Sequence, residues 1–163
     1  MPPTAEELIA RTRKNWLRDM TSTDEVMLRV YRLNELARAD AQRQTARHGL
    51  SLTDSDVLAA LRSAPPPHEL SPTDLYSAVF ISSGGLTKVL RGLEHRGLIG
   101  RVADDKDRRS RRVRLTRAGR TLVERIAVAV RASGEQHFSK ALSKAEMARL
   151  AALLRKLLLG VER

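Results

Sequence analysis

The sequence contains no cysteine among its 163 residues. This absence excludes a disulfide framework, a thiolate metal site, a cysteine nucleophile and a thiol redox sensor. No zinc-ligand spacing such as HExxH is found either, because the four histidines stand far apart, at His48, His68, His95 and His137. The sequence also has no GxSxG nucleophile motif and no Walker loop. We therefore expect neither an enzyme nor a bound metal or cofactor.

Long apolar stretches are missing as well. No segment approaches the roughly 18 consecutive apolar residues that a membrane span requires. The N-terminal stretch MPPTAEELIARTRKNW lacks the continuous apolar region of a secretory signal. The absence of cysteine agrees with a reducing compartment. We therefore expect a soluble, cytoplasmic protein that has no membrane partner.

Aromatic residues make up only 3% of the chain, whereas basic residues are abundant. So few aromatics cannot build a base-stacking sheet or an aromatic-lined groove for single strands. Thirty Lys and Arg against nineteen Asp and Glu leave a formal net charge of +11, which favours a polyanionic partner. A basic chain with few aromatics favours double-stranded DNA over single strands.

The positive charge is concentrated between residues 82 and 125. This stretch holds thirteen Lys or Arg against five Asp or Glu, which accounts for most of the excess. A solvated surface would intersperse the two signs, so the concentration favours contact with phosphates. An alternative is a sequence-tolerant architectural protein that compacts or bridges DNA through charge alone, which only a specificity ratio against random DNA would distinguish. A helical protein-interaction module would leave the clustered cations unexplained.

Capping patterns divide most of the chain into helices. A Ser or Thr followed three residues later by an acid satisfies backbone amides that a helix start leaves unpaired. The pattern occurs at Thr4/Glu7, Ser22/Glu25, Ser71/Asp74 and Ser143/Glu146. With the apolar periodicity, it predicts helices over 5–19, 24–47, 53–63, 72–79, 83–96, 117–137 and 144–159.

Two of these helices are short and separated by a tight turn at residues 80–82, which predicts a helix-turn-helix. After Gly97, two alternating segments flank a polar loop at 103–110 and predict a β-hairpin. The apolar stripes at both ends of the chain are wider than one small core needs. They predict a homodimer formed by the segment up to Arg47 and the helix from Lys144, although core packing alone explains the stripes equally well.

The second helix of the predicted helix-turn-helix carries two different faces. Leu86, Val89, Leu90 and Leu93 recur at helical spacing and form the inward face. The outward residues are donors suited to base edges and phosphates: Ser82, Ser83, Thr87, Lys88 and Arg91. Two glycines at 84–85 cost about 1 kcal/mol each relative to alanine, which either close approach to DNA or tight packing against the preceding helix would explain.

Three stretches carry a resemblance to a known family: SPTDL at 71–75, SSGGLTKVLRGLEHRGLI at 82–99 and DDKDRRSRRVRLTRAG at 104–119. They resemble the multiple antibiotic resistance regulator (MarR) family of winged-helix transcription factors. The resemblance implies a mostly α fold with a winged helix-turn-helix at 51–118, a small hairpin wing, and helical dimerisation regions at 1–50 and 119–163. It also implies a homodimeric, ligand-responsive repressor on pseudo-palindromic DNA, with half-sites about one helical turn apart.

In this family the wing carries an Asp-x-Arg pair, which Asp107 and Arg109 match. The resemblance implies that the arginine enters the minor groove, where a narrow groove concentrates negative potential. A plain surface ion pair is the alternative. Lys106 stands where the family often has arginine, so the charge is kept and the bidentate fork is lost. Arg108 and Arg111 complete the predicted DNA contacts of the wing.

The same stretches also resemble the urate-responsive branch of the family, which adds an N-terminal helix bearing a tryptophan. Trp16, Asp56 and Arg101 fall where that branch places its ligand pocket, so we expect a small aromatic acid as effector. Val89 stands where the branch has a ligand-binding arginine, so we expect urate itself to bind poorly. Trp16 instead docks the first helix onto the partner subunit in the alternative interpretation.

Overall fold

The computed structural model describes residues 3–79, 83–103 and 111–162. Within these ranges the chain is mostly helical and carries one small antiparallel sheet, as the sequence predicts. The elements are α1 (Ala5–Asn15), α2 (Ser22–Ala46), α3 (Leu52–Ser63), β1 (Glu69–Leu70), α4 (Pro72–Ala78), α5 (Ser83–His95), β2 (Ile99–Ala103), β3 (Arg111–Leu115), α6 (Arg117–Phe138) and α7 (Lys144–Val161).

Capping boxes set most of the helix starts. The boxes predicted at Thr4/Glu7, Ser71/Asp74 and Ser143/Glu146 are confirmed. The box predicted at Ser22/Glu25 is wrong by one residue, because Thr21 and Asp24 form it. The Glu25 carboxylate is engaged elsewhere, since it pairs with Arg13 of α1 and with Arg29.

The first helix is shorter than its sequence pattern suggests. The prediction of a helix over 5–19 is wrong at its end, because α1 stops at Asn15. The backbone amides of Trp16 and Leu17 both donate to the Thr12 carbonyl, which closes the last turn. Arg29 of α2 binds both carboxylate oxygens of Glu6 at 2.9 Å, and this pair ties α1 to α2.

The core lies where α3, α4 and α5 pack against the sheet. Its most deeply buried side chains include Val57, Leu58, Leu61, Leu75 and Val113, each 0% exposed. These residues come from α3, α4 and β3, so burial joins the helix-turn-helix to the hairpin. The winged-helix architecture inferred from the sequence is therefore confirmed in the described part of the chain.

The sheet has the order β1-β3-β2, and both pairings are antiparallel. The hairpin β2–β3 is confirmed, while β1 escaped the sequence analysis because it is only two residues long. His68 precedes β1 with a φ of 64°, and its carbonyl accepts the Leu115 amide at 3.1 Å. This turn leads the chain from the proline-rich segment into the edge of the sheet.

The outer helices leave many apolar side chains uncovered. No residue of α7 is buried, and α2 buries only Gln44 and Thr45. Large apolar side chains are exposed on both helices: Val26, Met27, Val30, Tyr31, Leu33 and Leu36 on α2, and Leu153, Leu157, Leu158, Leu159 and Val161 on α7. Among the described helices, none combines the length and the hydropathy needed to cross a membrane.

Candidate nucleic-acid interface

Helix α5 divides into a buried and an exposed face. Leu86, Leu90 and Leu93 are 5%, 3% and 1% exposed and hold the helix in the core. Val89 is half-buried and packs against the same cluster. Three apolar anchors spaced three and four residues apart fix the rotation of the helix about its axis. The opposite face is therefore presented to solvent in a defined orientation.

The exposed face of α5 carries three of the predicted DNA-contact residues. Thr87, Lys88 and Arg91 are all exposed, as the helical spacing predicts. Ser83 is the first residue of α5, and Arg111 is exposed at the start of β3. The remaining predicted contacts lie outside the described residues: Ser82, Lys106, Asp107, Arg108 and Arg109. The predicted contact residues that the structure describes combine hydroxyl, ammonium and guanidinium donors, which suit base edges and phosphates.

The two glycines of the first turn of α5 were explained from the sequence either by close approach to DNA or by tight packing against the preceding helix. A Cβ built on Gly84 meets no described atom within 4 Å. Packing against the described part of the chain therefore does not require glycine at this position. Close approach of the backbone to DNA stays a prediction.

Several cations of the basic stretch pair with acids. The Glu69 carboxylate of β1, only 13% exposed, pairs with Arg114 and lies 3.6 Å from Arg112. Arg112 also donates to the Glu69 carbonyl at 3.3 Å. The composition alone assigned the whole cluster to phosphates, because the sequence gives no sign of this half-buried carboxylate. The net charge available to DNA is therefore smaller than the composition of residues 82–125 indicates.

A groove of about 410 Å³ opens between α4, α5 and β2. Its lining combines Tyr76 of α4, Thr87 of α5 and Arg101 of β2 with two core leucines. Tyr76 is 48% exposed and offers a ring beside a guanidinium and a hydroxyl. This arrangement suits a small planar anion, because the ring can stack while the cation meets the charge. Tyr76 had no distinguishing signal in the sequence.

The three residues predicted to border a ligand pocket have different surroundings. Trp16 caps the end of α1 and is 77% exposed. Burial raises the pKa of the Asp56 carboxyl on α3, and the positive charge of Arg38 opposes that rise. Arg101 lies 3.7 Å from Glu94 and lines the groove at α5. Within the described residues no three His, Asp or Glu side chains cluster as metal ligands.

Comparison with known proteins identifies relatives along this chain. The model of the MarR family matches residues 48–110. The HTH-type transcriptional regulator PecS of Dickeya dadantii is 33% identical over 109 residues, which cover 67% of this chain and 65% of PecS. The uncharacterised HTH-type transcriptional regulator YdgJ of Bacillus subtilis is 30% identical over 119 residues, 72% of this chain and 70% of YdgJ. The chain therefore spans slightly less than two thirds of PecS.

Solved structures match a larger share of the chain. MarR from E. coli, in its apo form, superposes with a TM-score of 0.72 at 25% identity and covers 79% of this chain and 93% of its own. BpsR from Bordetella bronchiseptica superposes with a TM-score of 0.66 at 28% identity, covering 85% of this chain and 96% of its own. BpsR is a protein whose DNA binding is regulated by 6-hydroxynicotinic acid.

Proposed function

The chain belongs to the MarR family of winged-helix transcriptional regulators, and we propose that it regulates transcription by binding pseudo-palindromic duplex DNA as a homodimer. The observation that carries the proposal is the orientation of α5. Its buried leucines are held in the core, while Thr87, Lys88 and Arg91 are exposed on the other side. A helix of this kind fits the major groove, where donors can reach base edges and phosphates.

The wing supplies the second set of contacts in this proposal. Arg111 is exposed at the start of β3, and Lys106, Arg108 and Arg109 follow from the resemblance to the family. We propose that Arg109 enters the minor groove beside Asp107. Its replacement by alanine should then weaken binding by about 1 to 3 kcal/mol.

The exposed apolar faces of α2 and α7 support the homodimer. Surfaces with many contiguous uncovered apolar side chains mark interaction sites on monomeric folds. An isologous dimer places the same patch of both copies in contact and presents two copies of α5 to one face of the duplex. Analytical ultracentrifugation should detect a dimer throughout the micromolar range. A folded monomer at those concentrations would contradict this part of the proposal.

Selection of bound duplexes from a random library tests sequence-specific recognition directly. We expect a pseudo-palindrome with half-sites about one helical turn apart, bound at least about a thousandfold more tightly than random DNA. The affinity should fall steeply as salt is added, because each neutralised phosphate releases counterions. Equal affinity for selected and random duplexes would favour the architectural alternative.

Matched variants separate base recognition from general attraction. Lys88→Ala and Arg91→Ala should weaken binding by about 1 to 3 kcal/mol, and the residue that contacts a base should also relax the preference at that position. Arg131→Ala removes the same charge on α6, where the guanidinium pairs with Glu135 of its own helix. This control should leave the base preference unchanged. Wild-type preference in both α5 variants would contradict the assignment.

We propose a planar aromatic acid other than urate as the effector. The groove at α5 offers Arg101 and Thr87, and the similar protein BpsR responds to 6-hydroxynicotinic acid. An acid at Arg101 would contact α5 and could favour one orientation of that helix over another. Aromatic acids should release the protein from its selected duplex in a competition assay, and Arg101→Gln should abolish that release. Release that persists in Arg101→Gln would place the effector elsewhere.

A further inference from the structure

Arg96 makes a contact that the proposed DNA interface does not explain. The residue follows the last turn of α5, with its backbone amide donating to the Gly92 carbonyl at 3.2 Å. Its guanidinium reaches across the fold to the corner after α2. One terminal nitrogen donates to the Gly49 carbonyl at 2.8 Å, and the other donates to the His48 carbonyl at 3.2 Å.

The corner that receives Arg96 is a well-defined acceptor. His48 and Gly49 lie in the turn that follows α2, past its C-cap residue Arg47. At this corner Gly49 has a φ of 64°, a left-handed conformation that favours glycine. The next residue, Leu50, is 2% exposed and lies in the core. A planar guanidinium can donate to two adjacent carbonyls at once, whereas an ammonium is a point charge.

This contact joins the residue that follows α5 to the turn that follows α2. Helix α2 also carries the exposed apolar residues proposed for dimerisation, all between Val26 and Leu36. Helix α5 has 13 residues and is therefore about 20 Å long. A tilt of about 10° at its Arg96 end would move the opposite end by about 3.4 Å, the rise of one base pair.

We infer that Arg96 is a positioning residue that fixes the orientation of α5 relative to α2 and thereby selects the spacing between the two half-sites. The inference rests on the proposed DNA-binding homodimer. Without the two hydrogen bonds α5 can tilt more freely, so one protomer still recognises its half-site while the pair tolerates wrong spacings. A phosphate contact by Arg96 would give another result, because loss of a phosphate contact weakens every duplex alike.

The experiment uses the full chain and the duplex that the wild type selects from random DNA. Duplexes with one or two base pairs added or removed between the half-sites are compared with the selected duplex by fluorescence anisotropy, alongside a duplex that holds a single half-site. For the wild type, each inserted base pair should weaken binding about tenfold. Arg96→Gln should lose about fivefold on the selected duplex, bind the altered spacings nearly as well, and keep the single half-site affinity.

Two further variants keep the test decisive. Arg96→Lys preserves the charge and should restore little of the spacing preference, and it replaces Arg96→Gln in every comparison if that variant fails to fold. Arg131→Gln removes a charge from an arginine that pairs on its own helix, and it should keep the wild-type profile.

A variant at Arg96 with the wild-type spacing profile would overturn the inference. Equal losses on all duplexes, rescued by lysine, would do so as well, because they indicate a phosphate contact. A wild type that selects no duplex would overturn the proposed function, and the inference with it.

Discussion

Gly119 lies in the first turn of α6, where its Cα faces the backbone of Leu98, the residue before β2. A Cβ at this position would lie 2.0 Å from the Leu98 carbonyl oxygen and 3.0 Å from the Leu115 Cδ1 atom. The Leu98 carbonyl cannot retreat easily, because it accepts hydrogen bonds from the Thr116 amide at 3.2 Å and from the Thr116 hydroxyl at 3.0 Å. The replacement Gly119→Ala therefore forces α6 and β2 apart by about 1 Å.

The expected cost follows from two opposing effects. Forcing an extra methyl into a packed site costs about 1 to 3 kcal/mol, and a backbone neighbour places this case at the upper end. Alanine in a helix gains up to about 1 kcal/mol over glycine. The difference predicts that Gly119→Ala lowers the free energy of unfolding by about 2 kcal/mol. The same shift displaces Thr116, whose hydroxyl accepts the Gly119 amide at 3.0 Å and caps α6.

Gly134→Ala is the matched control on the same helix. A Cβ there meets no described atom within 4 Å, so the substitution should leave stability unchanged or raise it by up to about 1 kcal/mol. Both variants are compared with the wild type by denaturant unfolding at one protein concentration, because the proposed dimerisation would make stability depend on concentration. The packing argument fails if Gly119→Ala is as stable as the wild type.

Three other predictions concern Asp40, Glu69 and Trp16. The Ser133 hydroxyl lowers the pKa of Asp40. This contact therefore stabilises the fold above the unfolded pKa of about 4, and the stabilisation is lost as the pH falls through the lower folded pKa. The difference in stability between Ser133→Ala and wild type should shrink below about pH 4, and a constant difference would refute the link. Glu69→Gln should cost about 1 kcal/mol of stability, since it breaks the pair with Arg114 across β1 and β3; unchanged thermal unfolding would count against it. Trp16 is 77% exposed, so its fluorescence should shift to shorter wavelength on dimerisation if it docks on the partner subunit, and an unchanged spectrum on dilution to monomer would exclude that role.

The helix starts could be predicted from the sequence because the two residues of a capping box are only three positions apart. Ser71 and Asp74 show this, since each bonds the other's backbone amide and Pro72 stands at the first helical position. The start of α2 was misplaced because two capping patterns overlap there, Thr21/Asp24 and Ser22/Glu25, and Glu25 binds two arginines, one of them on another helix, instead of closing a box. A local sequence pattern shows which neighbouring residue a side chain can bind, but it does not show a competing partner that is distant in the sequence.

In the candidate interface, too, local features could be predicted from the sequence and contacts between distant residues could not. The exposed face of α5 was predictable, because helical spacing alone separates Lys88 and Arg91 from the buried leucines. The ion pair between Glu69 and Arg114 was not, because its partners are 45 residues apart and meet through the two-residue strand β1. Tyr76 was missed for a related reason, since the groove beside it forms only when α4, α5 and β2 pack together.

Because some of the basic residues already bind partners within the protein, the basic composition overstates how many of them are available to bind DNA. A cation that contacts a carboxylate or a backbone carbonyl has already exchanged part of its hydration for a protein partner. Moving it to a phosphate therefore gains less than moving a solvated cation. Arg114 at Glu69 and Arg96 at the Gly49 carbonyl are in this position. In the proposed DNA complex, such arginines would act through geometry, because they would hold the wing strand and α5 at fixed angles. In the same proposed complex, the exposed Lys88 and Arg91 would act by contacting the DNA directly. Substitutions of Arg96 or Arg114 should therefore alter the spacing preference or the strand geometry. Substitutions of Lys88 or Arg91 should instead alter the base preference and the salt dependence.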